Sequence, residues 1–232
     1  VGLRALDLNT TASNNTAVGY YALRANTTGA KNTAVGYYAL EQNQGGQNNT
    51  ALGYEALKNI TTDGHHNTSI GAATMRVATS ARSNTCVGDG TLTALTTGDH
   101  NVAMGHNVLY QCTTGYQNTC VGSGNVGDNV PAGYAITTGY RNTLIGARSG
   151  YQISTSTQNT FIGYNSGKNH TTAGGYNVCV GDETQLASAG DDREIVIGHN
   201  TTGKGSSTSI ICLLYTSPSP RDATLSRMRY SA

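Results

Sequence analysis

Large aromatic side chains, prolines and charges are scarce in this chain. Among 232 residues there is no tryptophan, one phenylalanine and three prolines, and charged residues make up only 12%. A conventional globular core of this size normally draws on more large aromatic side chains. Their scarcity argues against an ordinary globule, while a hydrophobic content of 37% argues against a disordered chain.

Charge of one sign and long apolar runs are also missing. The formal net charge is +1, and no basic or acidic run precedes the last dozen residues. The chain therefore lacks the basic surface that nucleic acids or anionic membranes require. No apolar stretch approaches the roughly 18 residues of a membrane-spanning helix. We expect neither nucleic-acid binding nor membrane insertion.

What the chain has instead is a short repeat. A pentapeptide of the type Asn-Thr-small-aliphatic-Gly, first found at 15–19, recurs in a constant register. Successive copies are 17 or 18 residues apart, except for one step of 24. The copies begin at Asn15, Asn32, Asn49, Asn67, Asn84, Asn101, Asn118, Asn142, Asn159, Asn177 and Glu194.

The fourth residue of every copy is aliphatic and the fifth is glycine. In the first three copies these residues are Val18, Val35 and Leu52, followed by Gly19, Gly36 and Gly53. A unit of this length is too short for a helix-turn-helix repeat but suits one coil of a parallel β-solenoid. We predict an all-β fold, a β-roll with two or three short strands in each coil, about 50 Å long at roughly 4.8 Å per coil.

Three further features of the repeat fit this fold. Glycine permits a positive φ where the chain turns a corner after the strand. The later Thr-Thr-Gly, as at 27–29, is predicted to form a second corner. The stacked asparagines at the first position are predicted to hydrogen-bond in a ladder along the axis.

Alternation within the strand predicts how the coils associate. The second and fourth motif residues share one face, and the third points the other way. The third is small or apolar in every copy, as in Ala17, Cys86 and Phe161, so both faces have the character of buried surfaces. We predict that the third residue meets identical chains, around a three-fold axis or in a filament. The alternative is a monomer whose apolar stripe is covered by a flanking segment.

The repeat extends over residues 1–211, which we expect to form one solenoid shaft. The long step predicts a protruding loop at about 124–138. Because the chain begins in mid-repeat, we expect it to be a shaft cut from something longer. Residues 212–232 carry no repeat and resemble a translated sequencing adapter, and the alternative is a disordered basic tail.

Cysteines and histidines are the candidates for a chemical site. Cys86, Cys120 and Cys179 share the third motif position. The first two lie two coils apart, roughly 9–10 Å, which is too far for a disulfide within one chain. Buried free thiols are therefore predicted, with cross-chain pairing as the alternative. His199 is expected beside Asp182 as a surface contact, and we predict no catalytic, metal or cofactor site.

N-glycosylation sequons are frequent, as expected in a chain rich in Asn and Thr. Asn26, Asn59, Asn169 and Asn200 fall near Thr-Thr segments and are the predicted glycosylation sites if the host is eukaryotic. Asn67 begins a strand and is expected to be inaccessible.

The segment 32–40, Asn-Thr-Ala-Val-Gly-Tyr-Tyr-Ala-Leu, and the Thr-Thr-Gly corners resemble the repeat regions of phage and large-virus tail-fibre proteins. Residues 194–207 are similar to the closing coil before the distal domain of such fibres. The 14-residue step that follows is similar to the left-handed β-roll head of trimeric autotransporter adhesins. The resemblance implies a left-handed homotrimeric fibre, extracellular or on a virion surface. It also implies that other parts of the protein attach to a cell-surface receptor or glycan.

Two functions fit these patterns. A structural fibre or adhesin shaft is predicted from the apolar strand faces and the resemblance. The alternative is an ice-binding β-solenoid, because regular coils with threonine ladders also build flat ice-binding faces. Gly45-Gly46 and 173–175 interrupt the Thr-Thr corners, which argues against an ice-binding face at that corner. A carbohydrate-active solenoid lacks the acidic or histidine-based cluster that it needs.

Overall fold

The computed structural model describes residues 2–124, 130–171 and 174–212. Twelve strands form one parallel sheet in which each strand pairs with the next along the chain. The described residues contain no helix. The chain is therefore a parallel β-solenoid with coils of about 17 residues, which confirms the predicted fold.

Each coil contributes one short strand rather than two or three. The strands are β1 (Thr16–Val18), β2 (Thr33–Val35), β3 (Thr50–Leu52), β4 (Thr68–Ile70), β5 (Thr85–Val87), β6 (Val102–Met104), β7 (Thr119–Val121), β8 (Thr143–Ile145), β9 (Thr160–Ile162), β10 (Val178–Val180), β11 (Ile195–Gly198) and β12 (Ser209–Cys212).

The strand register follows the motif throughout. Ala17 pairs with Ala34 in β1 and β2, and Cys120 still pairs with Leu144 across the step of 24 residues. The short final step keeps the register too, since Ile197 pairs with Ile211. Coils of different length therefore stack without shifting the pattern of side chains on the sheet.

The segment after each strand is built without a second strand. Tyr21 and Leu23 have φ values of 58° and 51°, whereas Tyr20 and Ala22 do not have positive φ. The Tyr21 amide donates to Leu3 in the preceding coil, and the Leu23 amide donates to Ala39 in the following coil. Because the sign of φ alternates along this segment, its backbone amides form hydrogen bonds to the neighbouring coils. Ala22 and Leu23 are both buried.

The core is a narrow column in which a small side chain on one side of the coil lies opposite a large side chain on the other. In the first coils the third motif residue is alanine and faces a buried leucine, as with Ala17 and Leu23. Two later coils reverse the sizes: buried Phe161 lies against Gly167, and buried Leu144 lies against Gly150. The third motif residue therefore belongs to the interior. The prediction that it meets other chains is wrong, because this residue is already buried within its own chain. Alternation shows which residues share a face of the strand, but not which face is inside.

Parts of the predicted loop and tail are described. The Ala132 amide donates to the Gly122 carbonyl at 3.1 Å, and Ile136 is fully buried, so the segment from Ala132 onward follows the path of the coil. Residues 125–129 of the predicted loop lie outside the described residues. Of the predicted tail, Cys212 ends β12, and 213–232 lie outside the described residues.

Candidate functional site: the outward face of the strands

The most regular surface of the solenoid is the outward side of its sheet. The second and fourth motif residues of the strands point away from the core, and we call this surface the strand face. Its second-position column consists of Thr16, Thr33, Thr50, Thr68, Thr85, Val102, Thr119, Thr143, Thr160, Val178, Ile195 and Ser209. Its fourth-position column consists of Val18, Val35, Leu52, Ile70, Val87, Met104, Val121, Ile145, Ile162, Val180, Ile197 and Ile211.

The fourth-position column exposes aliphatic side chains along the whole sheet. Val18 is 44% exposed, Leu52 45% and Met104 42%. Rows of a sheet follow one another at roughly 4.8 Å, so the strand face is a continuous stripe about 50 Å long. Soluble monomers rarely expose a continuous apolar surface of this kind without a use for it.

Glycine after the strand lets neighbouring coils approach closely. Gly19 has φ of 130°, and a Cβ at this position would overlap the Gly36 carbonyl of the next coil. The same close contact recurs from coil to coil, for example between Gly36 and Gly53. A side chain here would force neighbouring coils apart, so glycine fixes the spacing of the rows beside it.

The asparagine ladder fixes the other end of each strand. Asn32 Nδ2 donates to the carbonyl of Gly46 at 2.8 Å, and its Oδ1 accepts the Asn49 amide at 2.9 Å. Asn32 is fully buried, and its own amide donates to Asn15 Oδ1. The predicted ladder is confirmed, and each amide holds a strand start against both the next coil and a corner.

Glu194 ends the ladder with a different chemistry. Its backbone amide still donates to Asn177 Oδ1 at 2.9 Å. Its buried carboxylate accepts the amides of Gly205 at 2.7 Å and Ala187 at 3.1 Å, and also that of Lys204. The shortened final coil thus presents N–H groups where longer coils present a carbonyl, so an acceptor-only side chain fits.

The threonines of the predicted second corner stabilise the stack from within. The chain bends at Thr27 and Thr28, as predicted. The Thr27 hydroxyl donates to the Gln44 carbonyl of the next coil at 3.1 Å, and Thr96 does the same to Thr113 at 3.0 Å. These hydroxyls therefore donate their hydrogen bonds within the solenoid and not to a ligand.

The predicted glycosylation sites differ in access. Asn26 is fully buried, and its amide donates to an asparagine side chain of the preceding coil and to a corner carbonyl. The prediction of an accessible side chain is therefore wrong for Asn26, because a second internal asparagine column runs through this corner. Asn59 and Asn169 are half-buried and Asn200 is exposed, and their modification stays a prediction. Asn67 is fully buried, as expected.

The cysteines of the core are free thiols. Cys86, Cys112, Cys120 and Cys179 are buried and unpaired, and Cys212 is exposed. Burial raises the pKa of both Cys112 and Cys179 to about 12. The predicted buried thiols are confirmed, and such thiols are poor nucleophiles at neutral pH.

One buried histidine was not singled out by its sequence position. His170 is fully buried in the corner column, with its ring 5.8 Å from that of Phe161 in an edge-on arrangement. Neither ring nitrogen has a hydrogen-bond partner within ordinary distance and angle. The backbone of Gly174 and Ala189 nearby favours the protonated imidazole and raises its pKa. Burial is the larger influence and lowers the pKa of His170.

The other polar clusters are small. Asp182 and His199 approach to 3.6 Å at an exposed position, as expected from the sequence. A shallow cleft of about 660 Å³ beside the final coil includes His199, Lys204 and Cys212. The described residues hold no group of three potential metal-binding side chains. The same part of the chain forms no helix that is long and apolar enough to cross a membrane.

No family model, curated protein or solved structure matches this chain.

Proposed function

We propose that the chain is a structural fibre shaft that assembles with identical chains through the strand face. The observation that carries this proposal is the exposed aliphatic column, which continues beside a threonine column through twelve strands. The contacts are made by the second and fourth motif residues, not by the buried third.

The size of the strand face supports association. Two columns of side chains on a sheet are about 10 Å wide, which gives roughly 500 Å² of flat area per chain over its length. Specific protein interfaces bury about 800 Å² on each partner. The whole stripe is of the same order as one such interface, and in a trimer its two columns divide that area between two neighbours.

The repeat also favours copies with parallel axes around a three-fold axis. Cyclic symmetry sets each row of the strand face against the same row of its partners, so the regular spacing matches along the full length. The second-position and fourth-position columns then each contact a different neighbour. The resemblance to trimeric fibre repeats favours the same arrangement.

Location and attachment belong to this proposal as well. The resemblance to tail fibres and adhesins supports an extracellular or virion-surface location. It also supports attachment to a cell-surface receptor or glycan through other parts of the protein.

Mass measurement in solution tests the proposal. Sedimentation velocity of the full chain is expected to give three times its mass of 24.1 kDa and an elongated shape. Leu52→Asp is expected to yield monomers, because it buries a charge in the interface. Thr28→Asp is the matched control, since Thr28 is exposed at the corner, and it should leave the assembly intact. A monomeric wild-type chain would overturn the proposal.

The threonine column supports ice binding as a second candidate. This column has one residue in every coil, unlike the interrupted corner threonines, although Val102, Val178, Ile195 and Ser209 are not threonine. An ice-binding chain is expected to be monomeric and to inhibit ice growth. Thr85→Tyr should then abolish the inhibition and Thr28→Asp should preserve it, whereas a trimer without ice activity excludes this candidate.

A further inference from the structure

The strand face becomes more apolar in its last three rows, where Ser209 of β12 is the one polar residue of the two columns. Val178 of β10 pairs directly with Ile195 of β11 in the second-position column. The fourth-position residues beside them are aligned in the same way, from Val180 through Ile197 to Ile211. These five side chains form one apolar patch, which we call the terminal patch.

No other part of the strand face has both columns apolar in consecutive rows. Val102 is an apolar residue of the second-position column in β6, but its neighbours are Thr85 and Thr119. The terminal patch is bordered by Thr160 on β9. Ile195 is 39% exposed and Ile211 is 68% exposed, so the patch presents large aliphatic side chains to solvent.

We propose that the terminal patch anchors the association of identical chains, and that the threonine-bearing rows contribute less to affinity. This inference rests on the proposed function. Binding energy concentrates where apolar side chains exclude water together, and the gain rises with the apolar area removed from water, which is larger in rows where both columns are aliphatic. A threonine hydroxyl in the interface must instead lose its water or find a partner.

The occupant of the patch is the same patch of other copies. Cyclic symmetry with parallel axes brings row against like row, so β10 to β12 of one chain meet β10 to β12 of the others. The five outward side chains carry no charge, and therefore this contact leaves no like charges opposed. Its rows share one spacing with those of its copies, which a partner of different structure would have to reproduce.

Two valines in the same column provide a matched test. Val178→Thr introduces a hydroxyl inside the terminal patch, and Val102→Thr introduces the same group between two threonines. In sedimentation experiments over a concentration series, Val178→Thr should raise the half-dissociation concentration about tenfold, and Val102→Thr about threefold or less. Circular dichroism checks that both variants keep the wild-type fold.

A second pair tests the inference by gain of affinity. Thr160→Val extends the terminal patch by one row and should lower the half-dissociation concentration about threefold, whereas Thr33→Val, far from the patch, should change it less. This pair decides the matter if Val178→Thr fails to fold.

The outcomes separate the two proposals. Equal effects within each pair, in a wild-type chain that assembles, would overturn the anchoring role and leave the shaft proposal standing. A wild-type chain that stays monomeric at all concentrations would overturn both.

Discussion

The asparagine ladder offers the sharpest test of what holds the coils together, and Asn101 lies near its middle. Asn101 Nδ2 donates to Asn84 Oδ1 at 3.0 Å and to the Gly115 carbonyl at 2.9 Å. Its Oδ1 accepts the backbone amide of Asn118 at 3.0 Å and the side-chain amide at 3.2 Å. Asn101→Ala removes all four hydrogen bonds at a fully buried position.

The expected cost follows from those four bonds. At about 1 kcal/mol for each net hydrogen bond, Asn101→Ala should lower the free energy of unfolding by about 4 kcal/mol. The loss is large because the Gly115 carbonyl and the Asn118 amide stay buried without their partners. Gln111→Ala is the matched control on the next part of the same coil, where Gln111 is exposed, and it should cost less than about 0.5 kcal/mol.

Urea unfolding followed by far-UV circular dichroism measures the difference between the two variants. A repeat array can open locally, since each coil contacts only its neighbours. Hydrogen exchange should therefore show the loss of protection concentrated in the coils of β6 and β7. A cost for Asn101→Ala no larger than that of Gln111→Ala would refute the view that the ladder stabilises the stack.

Three further predictions concern single groups. In the native chain one thiol, Cys212, should react rapidly with a thiol reagent, and the four buried thiols should react only after unfolding. Because burial lowers the pKa of His170, the unfolded chain binds a proton more readily, so stability should be full above about pH 6.5 and fall as the pH drops below it. His170→Leu should remove that dependence in pH-dependent thermal unfolding. Glu194→Gln should destabilise the final coil by about 1–2 kcal/mol, measured by hydrogen exchange, because a donor would replace an oxygen that accepts backbone amides.

The regular part of the fold was predictable because the motif is local. The asparagine, the aliphatic residue and the glycine each have one physical task in every coil, and their spacing therefore predicts the coil length and the sheet register. The Thr-Thr-Gly corner was predictable for the same reason. Even the buried thiols followed from their place at the third position, where alanine is common.

The orientation of the strand was not predictable from alternation. The third residue and its neighbours are all small or apolar, so polarity does not distinguish the inside from the outside. The inside is decided by the other side of the coil, where Tyr21 and Leu23 adopt positive φ and bring Ala22 and Leu23 inward together. A pattern based on strand or helix periods does not detect a backbone that alternates in this way. The surface available to other molecules therefore consists of the second and fourth residues and not the third.

A signal that identifies the inside was nevertheless present, in the sizes of the two core positions. Ala17 accompanies Leu23, whereas Phe161 accompanies Gly167, and a Cβ at Gly167 would overlap the Phe161 ring. Phe161→Ala alone should cost about 3–5 kcal/mol through a cavity, and Gly167→Leu alone should also destabilise the chain by overpacking. The double variant recreates the pairing of the first coils, where Leu23 tolerates a φ of 51°. It should be at least about 2 kcal/mol more stable than the sum of the single effects predicts, as measured by urea unfolding. Strict additivity would mean that the two positions do not share one space, and the assignment of the third residue to the interior would lose its main energetic support.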